Sequence, residues 1–357
     1  MQNIQEQAYQ FQLDSAPIFS ARYGNGHINE TYLVVDASAR SYILQKINKT
    51  IFKDPVSLMQ NVSAVTTYLR KLDPTPNRTM TLVPTKDGQQ WLVDSEGEYW
   101  RVYDLITHSI CLEKAETAED FKESGFAFGD FQRRLADFPA HTLAETIPNF
   151  HDTPNRYIAF RNAVKADACG RAASVQREID FCLAREAYAA TLMDAQAKGD
   201  LPLRVTHNDT KLNNVLLERN TRKTLCVVDL DTVMPGLSVT DYGDSIRFGA
   251  STATEDEKNL DSVEMSLALL EAYTEGFLAA CGKSLTKPEI AHLADGAKMM
   301  TLECGTRFLT DYLQGDVYFR THYKEQNLDR CRTQFKLVAD MEAKWSDMQK
   351  IIEKAAQ

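Results

Sequence analysis

The spacing of apolar and polar positions divides the chain into a β-rich beginning and a helical remainder. Short runs rich in β-branched and aromatic residues are typical of strands. In the first part of the chain such runs occupy 32–35, 41–47, 81–84, 91–93 and 99–103. One helical pattern lies among them, from 55 to 72, where apolar residues recur at intervals of three and four. Later helical patterns occupy 121–135, 179–197, 262–281, 288–313 and 326–355, with one β island at 215–217 and 225–228.

This order of elements predicts an α+β fold with two lobes. The first lobe would be a small antiparallel β-sheet with one helix, and the second would be larger, mainly helical and would carry the β island as a hairpin. We place the boundary near residue 105, so that 1–105 form the first lobe and 106–357 the second. A chain of 357 residues exceeds the usual size of one hydrophobic core, which agrees with two domains.

Composition narrows the classes of partner. The net charge of −10 disfavours binding to a nucleic-acid backbone, and the absence of a long apolar run predicts no membrane span. The seven cysteines are odd in number and form no CxxC pair, so we expect free thiols in a reducing compartment. With no basic stretch followed by an apolar core at its beginning, the sequence predicts a cytoplasmic protein. Protein partners cannot be predicted from it.

The densest polar cluster lies at 207–214, directly before the β island. Phosphoryl transfer needs a carboxylate that orients the attacking hydroxyl and oxygen ligands for a magnesium ion. Asp209, Asn214 and, after the second strand of the island, Asp229 supply these groups. Each residue alone could belong to a helix cap or an Asx-turn, but their joint pattern favours function. Asp231 could be a second metal ligand or a structural carboxylate.

The pattern H-x-D-x-x-x-x-N, formed by His207, Asp209 and Asn214, resembles the aminoglycoside phosphotransferase and choline kinase group, which has the protein-kinase-like fold. The resemblance implies that Asp209 is the catalytic base and that Asn214 and Asp229 bind Mg²⁺. ATP would be the co-substrate, and His207 would brace the loop by hydrogen bonding.

Kinases normally place a lysine on the strand that corresponds to 41–47 and pair it with a glutamate on the next helix. Adjacent side chains of a strand point to opposite faces, so Gln45 and Lys46 cannot both face the nucleotide. We prefer the alignment that puts Gln45 at the lysine position. The helix then offers Gln60 and Asn61, which predicts a neutral amide pair in place of the ion pair.

Further nucleotide contacts are expected around this strand. Gly24 and Gly26 would let backbone amides approach the phosphates, although a simple β-turn is the alternative. Ile43 would lie over the adenine. The segment 99–106, which contains Tyr103, would be the linker whose backbone meets the adenine edge.

Longer stretches resemble the N-acetylhexosamine 1-kinases, at 24–29, 149–154, 205–216, 241–251 and 303–309. The resemblance implies transfer from ATP to the anomeric hydroxyl of N-acetylglucosamine or N-acetylgalactosamine, a neutral amino sugar. Candidate sugar contacts are His27, Asp209, Arg307 and Tyr318. Arg307 could instead form a structural salt bridge, and Tyr318 could be a core aromatic.

For three neighbouring side chains we predict a structural role. Asp241 and Asp244 would fix the loop after the metal strand, and Arg247 could pair with either of them. Two other functions remain open. The protein could phosphorylate another small alcohol, such as an aminoglycoside, choline, homoserine or a different sugar, on the same fold. It could also be a nucleotide-binding regulator without catalysis, which the missing lysine would favour.

Overall fold

The computed structural model describes residues 4–24 and 28–357. The chain forms two compact units. The first unit comprises the chain up to Ile110 together with Asp137–Pro148 and Leu216–Pro235. The second unit comprises Cys111–Ala136, Asn149–Val215 and Gly236–Gln357. The single boundary near residue 105 stays a prediction, because each unit collects segments from separate parts of the chain.

The secondary structure mixes strands and helices, as the α+β prediction requires. The strands are β1 (Pro17–Arg22), β2 (Glu30–Asp36), β3 (Ser41–Lys46), β4 (Leu82–Val83), β5 (Leu92–Val93), β6 (Tyr99–Asp104), β7 (Ser109–Cys111), β8 (Arg204–Thr206), β9 (Val215–Glu218), β10 (Thr224–Val227) and β11 (Met234–Gly236). The helices are α1 (Ile4–Tyr9), α2 (Pro55–Leu72), α3 (Ala118–Arg134), α4 (Thr153–Ala166), α5 (Gln176–Leu183), α6 (Glu186–Ala189), α7 (Thr191–Lys198), α8 (Ser238–Gly249), α9 (Leu267–Cys281), α10 (Lys287–Ala291), α11 (Leu293–Gln314), α12 (Gln326–Ala343) and α13 (Trp345–Ala355).

The first unit is built on an antiparallel sheet in the order β1-β2-β3-β6-β4, with β5 also paired to β6. In the register of β3 and β6, Ile43 lies opposite Tyr103 and Gln45 opposite Arg101. Because side chains alternate along a strand, these four share one face of the sheet. The other face carries an apolar cluster whose buried members include Tyr42, Leu44, Trp100 and Val102.

Helix α2 has the bounds that its apolar spacing predicts. Pro55 occupies its first turn, and the Asp54 side chain accepts a hydrogen bond from the Ser57 N–H as an N-cap. Such a cap stabilises a helix by about 1 kcal/mol. One face of α2, including Leu58, Val62 and Val65, is fully buried. The predicted helix is therefore confirmed, as are the two strands of the β island, β9 and β10. The segment Leu216–Pro235 belongs to the first unit, however, and not to the helical one that was expected to carry it.

Helix α8 of the second unit is buried from Ser238 to Arg247 and packs mainly against α11. The close approach of α8 to α11 depends on glycine. A Cβ atom on Gly243 would lie 2.2 Å from the carbonyl oxygen of Gly296, and one on Gly296 would lie 2.1 Å from that of Val239. Distances this short exclude any side chain, so these two glycines fix how closely the two helices pack.

Three long helices that the sequence predicts are interrupted, and one of them is the pattern at 288–313, which is divided at His292 into α10 and α11. The pattern at 179–197 forms α5, α6 and α7, and the break after α5 coincides with a bond from the Arg185 N–H to the Cys182 carbonyl, which tightens the turn. The pattern at 326–355 is divided at Lys344 into α12 and α13. In the described part of the chain, every helix is too short or too polar to cross a bilayer.

Candidate active site

The loop that carries Asp209 follows β8 and is anchored by a buried carboxylate of α8. Asp241, which is 2% exposed, accepts hydrogen bonds from the backbone N–H of His207 and of Asn208, both at 2.8 Å. It also accepts one from the Gln132 side chain at 2.7 Å. Burial raises the pKa of the Asp241 carboxyl, although these donors favour its charged form. Asn208 adopts a left-handed backbone with φ 64°, so the loop is held in a specific shape.

A second carboxylate of α8 holds the residue after Asp209. Asp244 accepts the Thr210 N–H at 3.1 Å and pairs with Arg247 at 2.9 Å. Burial acts to raise the pKa of Asp244, but the charges of Arg247 and Lys211 and the hydrogen bond from Arg247 together outweigh it, so the pKa lies below its ordinary value. The Ser245 hydroxyl donates to the Thr210 carbonyl at 2.6 Å. Asp241 and Asp244 thus fix a loop, as predicted, but it is the loop at 207–210 and not the one after the metal strand.

Asp209 presents a carboxylate whose orientation is fixed by its neighbours. Its Oδ1 lies 2.7 Å from the ammonium of Lys211, and its Oδ2 accepts from the Asn214 side chain at 3.1 Å. The Asp209 N–H donates to Nδ1 of His207 at 3.3 Å, the bracing bond expected of that histidine. The carboxylate remains 31% exposed, so a substrate hydroxyl can reach it.

Lys211 is a candidate functional residue that the sequence reasoning missed. Burial acts to lower the pKa of Lys211, but Asp209 and Asp244 raise it further, so the ammonium stays charged. A lysine two positions after a candidate catalytic aspartate was the available signal, because both side chains can turn to the same side of a short loop. Lys211 therefore places a fixed positive charge beside Asp209.

The orientation of the Asn214 amide suits a metal ligand. Its Nδ2 donates to the Asp209 carbonyl at 2.8 Å and to the Asp209 carboxylate. Within residues 4–24 and 28–357 its Oδ1 accepts no hydrogen bond, and amide oxygens are ligands that Mg²⁺ accepts. The amide nitrogen is thus used by the protein and the oxygen is left for a ligand.

In the first unit, Asp229 and Asp231 have different surroundings. Asp229 is exposed and follows β10 with a left-handed backbone, φ 61°, at the start of the turn Leu230–Thr232. Asp231 is only 4% exposed. Its Oδ1 forms an ion pair with Nη2 of Arg101 at 2.5 Å, and its Oδ2 accepts from the Asn29 side chain at 2.5 Å. Oδ2 therefore has a hydrogen-bond donor, whereas Oδ1 lies in the ion pair and accepts no hydrogen bond in the described chain. The buried ion pair favours the structural role that the sequence left open.

Asn214 and Asp229 each carry an oxygen donor of a kind that Mg²⁺ binds. Among the described residues, there is no group of three or more His, Cys, Asp or Glu side chains that could hold a metal ion. Mg²⁺ does not need one, because it is usually bound through one or two carboxylates, waters and the phosphates of its nucleotide. Asn214 supplies an amide oxygen and Asp229 an exposed carboxylate, so both residues remain predicted ligands.

The predicted neutral amide pair is wrong, because Gln45 faces a cation. Its Oε1 accepts from Nε of Arg101 at 3.0 Å, and its Nε2 donates to Thr31 at 3.1 Å. Asn61 instead donates to the carbonyls of Ala144 and Val233, at 2.8 and 3.0 Å. Its helical neighbour Gln60 lines a separate surface groove with Trp91 and Phe138.

Lys46 belongs to the opposite face of the sheet. Its ammonium lies 3.6 Å from Glu98 and 5.8 Å from the ring centroid of Trp100. Gln45 and Lys46 were the two candidates for contact with the phosphates. Of these, Gln45 lies on the same face of the sheet as Arg101. Its own phosphate contact stays a prediction.

The predicted adenine linker needs a correction. Tyr99–Asp104 is the strand β6, and its backbone pairs with β3, β4 and β5, so only the chain after Asp104 can serve as a linker. Tyr103 is buried, and its hydroxyl has no hydrogen-bond partner in the described chain. Burial raises the pKa of that hydroxyl. Ile43 lies opposite Tyr103, and both remain predicted nucleotide contacts.

Of the predicted glycine loop, only Gly24 can be placed. It has a left-handed φ of 73°, which requires glycine or costs strain, and a Cβ there would meet nothing within 4 Å. Gly26 and His27 lie outside the described residues.

A sequence profile of the APH phosphotransferase enzyme family matches residues 21–276. This chain belongs to that family. The resemblance to aminoglycoside phosphotransferases is thereby confirmed at family level, and the coarse activity is transfer of a phosphoryl group to a small-molecule alcohol. The family uses ATP.

Solved structures of such phosphotransferases share the fold. An aminoglycoside phosphotransferase from Alicyclobacillus acidocaldarius is 12% identical with a TM-score of 0.66, over 98% of this chain and 96% of that one. A microcompartment-associated aminopropanol kinase is 15% identical with a TM-score of 0.61, over 97% and 98%. Amicoumacin kinase, solved with AMP-PNP and Ca²⁺, is 12% identical with a TM-score of 0.62, over 93% and 92%. The protein-kinase-like fold is thus confirmed.

The predicted sugar contact Arg307 of this phosphotransferase lies beside a buried carboxylate. Glu303 accepts from the Thr153 hydroxyl at 2.8 Å, lies 3.0 Å from Nδ1 of His151 and is 3.9 Å from Arg307. Burial acts to raise the pKa of Glu303, but His151, Arg307 and Arg156 together outweigh it and the pKa is lowered. Burial and the nearby charge of Arg307 lower the pKa of the Arg156 guanidinium.

Aromatic rings surround the Arg307 guanidinium. It lies 5.6 Å from the ring centroid of Phe150, 5.9 Å from that of Tyr318 and 5.5 Å from that of Phe319. Tyr318 is 67% exposed, which excludes the alternative of a core aromatic. The salt-bridge alternative for Arg307 has some basis in Glu303, but the distance of 3.9 Å is too long for a hydrogen bond.

Proposed function

We propose that this phosphotransferase transfers the γ-phosphoryl group of ATP to the anomeric hydroxyl of an N-acetylhexosamine. The observation that carries the chemistry is the Asp209 carboxylate, oriented by Lys211 and Asn214 on a loop that α8 anchors. An anomeric hydroxyl is more acidic than an ordinary alcohol, so one carboxylate suffices to orient it and accept its proton.

The surroundings of Arg307 favour a neutral acceptor. A cationic amino alcohol would need carboxylates or open aromatic faces to hold its ammonium group. Here the faces of Phe150, Tyr318 and Phe319 already lie near the guanidinium of Arg307. Glu303 already has His151 at 3.0 Å and Arg307 at 3.9 Å beside it. A neutral sugar with hydroxyl and acylamino groups can accept hydrogen bonds from such a cation without repulsion.

The remaining roles follow from the donor atoms. Asn214 and Asp229 would bind Mg²⁺, which neutralises phosphate charge during phosphoryl transfer. Lys211 would add positive charge near the transferred group. Gly24, Gly26, Ile43, Gln45 and Tyr103 would contact the nucleotide, and His27, Arg307 and Tyr318 the sugar.

A panel of acceptors tests the proposal. The protein is incubated with ATP, Mg²⁺ and N-acetylglucosamine, N-acetylgalactosamine, choline, 1-amino-2-propanol or kanamycin, and ADP release is measured. We expect turnover of the N-acetylhexosamines alone. Turnover of a cationic acceptor alone would contradict the sugar assignment, and ATP binding without turnover of any acceptor would favour a regulator.

Asp209→Asn is the matched catalytic control, because it keeps the volume of the side chain. It should retain ATP affinity and lose at least ~100-fold in rate, the usual size of an acid–base contribution. Full activity of this variant would refute the role of Asp209.

A further inference from the structure

We propose that Arg101 is a positioning residue that holds Asp229 ready for the metal–nucleotide complex by fixing the turn Leu230–Thr232 through Asp231. The inference rests on the proposed function, which makes Asp229 a metal ligand. It assigns to β6 the positive charge that kinases normally carry on the strand corresponding to β3, where this chain has Gln45.

Arg101 is buried to a degree that requires fixed partners. It is 1% exposed, and its Nη2 lies 2.5 Å from Oδ1 of Asp231 while its Nε donates to Gln45. The remaining Nη1 lies 3.6 Å from the sulfur of Met59 on α2. A buried charge is tolerated only when it is paired and hydrogen-bonded, so Arg101 and Asp231 hold each other in one arrangement.

The ion pair constrains the turn that begins at Asp229. Asp231 is bound by Arg101 and Asn29, and the carbonyl of Val233, just beyond the turn, accepts from Asn61. Leu230 is buried as well. The turn is thus attached to β6, to the segment before β2 and to α2.

Asp229 itself depends on this attachment. Its left-handed backbone, φ 61°, is unfavourable for a residue other than glycine and persists where the surrounding structure enforces it. The backbone of the turn fixes the direction in which the Cα–Cβ bond of Asp229 points. Loss of Arg101 would release the turn and leave Asp231 as an uncompensated buried carboxylate next to the metal ligand.

Calorimetric titration with ADP, with and without Mg²⁺, tests the inference without relying on turnover. The variants are Arg101→Met, Arg101→Lys and the double variant Arg101→Met/Asp231→Asn, which removes both buried charges in case Arg101→Met does not fold. Arg40→Met is the matched control, because Arg40 is a first-unit arginine that pairs with Asp14 and Asp104.

We expect Arg101→Met and the double variant to weaken Mg²⁺-dependent ADP binding about tenfold or more, the usual effect of removing a group that orients a metal ligand. Metal-free ADP affinity should change less than about twofold by the same reasoning, since the residue acts through Asp229. Arg101→Lys should be intermediate, and Arg40→Met should match the wild type.

Equal losses with and without Mg²⁺ would overturn the inference and indicate a direct nucleotide contact. Wild-type Mg²⁺ dependence in the double variant would overturn it too. If the wild type itself binds ADP no more tightly with Mg²⁺, the proposed metal site fails and this inference fails with it.

Discussion

The substitution Asp241→Asn is expected to weaken both the fold of the second unit and its activity. Asp241 uses one oxygen for the His207 N–H and the Gln132 amide and the other for the Asn208 N–H. An asparagine offers only one acceptor oxygen. Whichever way its amide turns, at least one of these buried donors then faces an NH₂ group.

The magnitude follows from two opposing effects. A buried donor left without an acceptor costs about 1–3 kcal/mol. The neutral amide also avoids the burial of a charge, the effect that raises the pKa of Asp241, and this recovers part of the loss. In the variant, two donors would face each other where a hydrogen bond of 2.8 Å stood. The cost of the unpaired donor should therefore exceed the gain from removing the charge, and we expect a net destabilisation of about 2 kcal/mol.

The effect on catalysis comes from the left-handed Asn208. If its N–H loses Asp241, the backbone that precedes Asp209 is no longer fixed. A displacement of about 1 Å at a reacting group can lower the rate by about 100-fold, so kcat should fall by about 10- to 100-fold while the KM for ATP changes little.

Urea unfolding followed by circular dichroism and steady-state ADP release measure the two effects. Asp261→Asn is the control, since Asp261 is exposed and should give wild-type values. Wild-type stability together with wild-type kcat in Asp241→Asn would refute the reasoning that Asp241 anchors the catalytic loop.

The remaining predictions concern packing, pH and metal binding. Gly243→Val should destabilise the protein by more than about 2 kcal/mol in urea unfolding, because its Cβ would lie 2.2 Å from the Gly296 carbonyl; near-wild-type stability would contradict that packing. The lowered pKa of Glu303 means that its ion pair contributes stability at neutral pH, which is lost as the pH falls below the ordinary glutamate range. In Glu303→Gln the melting temperature should therefore change less between neutral pH and about pH 3 than in the wild type. The same decrease of the melting temperature in both proteins would contradict this prediction. Asn214→Ala should raise the Mg²⁺ concentration needed for half-maximal rate by about 10-fold or more, which a metal titration of the rate checks.

Local signals were sufficient to predict α2 and the hairpin of β9 and β10. In α2, the cap, the proline and the apolar spacing all agree along one short segment. The catalytic loop was equally visible, because His207, Asp209 and Asn214 lie within a few positions of each other. Its anchor on Asp241 was placed at the wrong loop, since a carboxylate in a helix does not reveal which distant N–H groups it accepts.

The position of the cation beside Gln45 could not be predicted from local pattern. Arg101 lies in the strand Tyr99–Asp104, most of whose other members are aromatic, and an arginine is normally exposed. Its burial depends on Asp231, which is far away in the sequence and became its partner only through the fold. The predicted amide pair failed because Gln45 bonds to Arg101 and Asn61 donates to the carbonyls of Ala144 and Val233.

The most direct test of the central claim is the position of the phosphate on the product. N-acetylglucosamine and its methyl glycoside, which lacks a free anomeric hydroxyl, are each incubated with the protein, ATP and Mg²⁺, and the products are analysed by ³¹P and ¹H NMR. The account predicts a phosphate coupled to the proton at C1 of N-acetylglucosamine and no product from the glycoside. Phosphorylation of the glycoside, or phosphate at any other carbon, would contradict it.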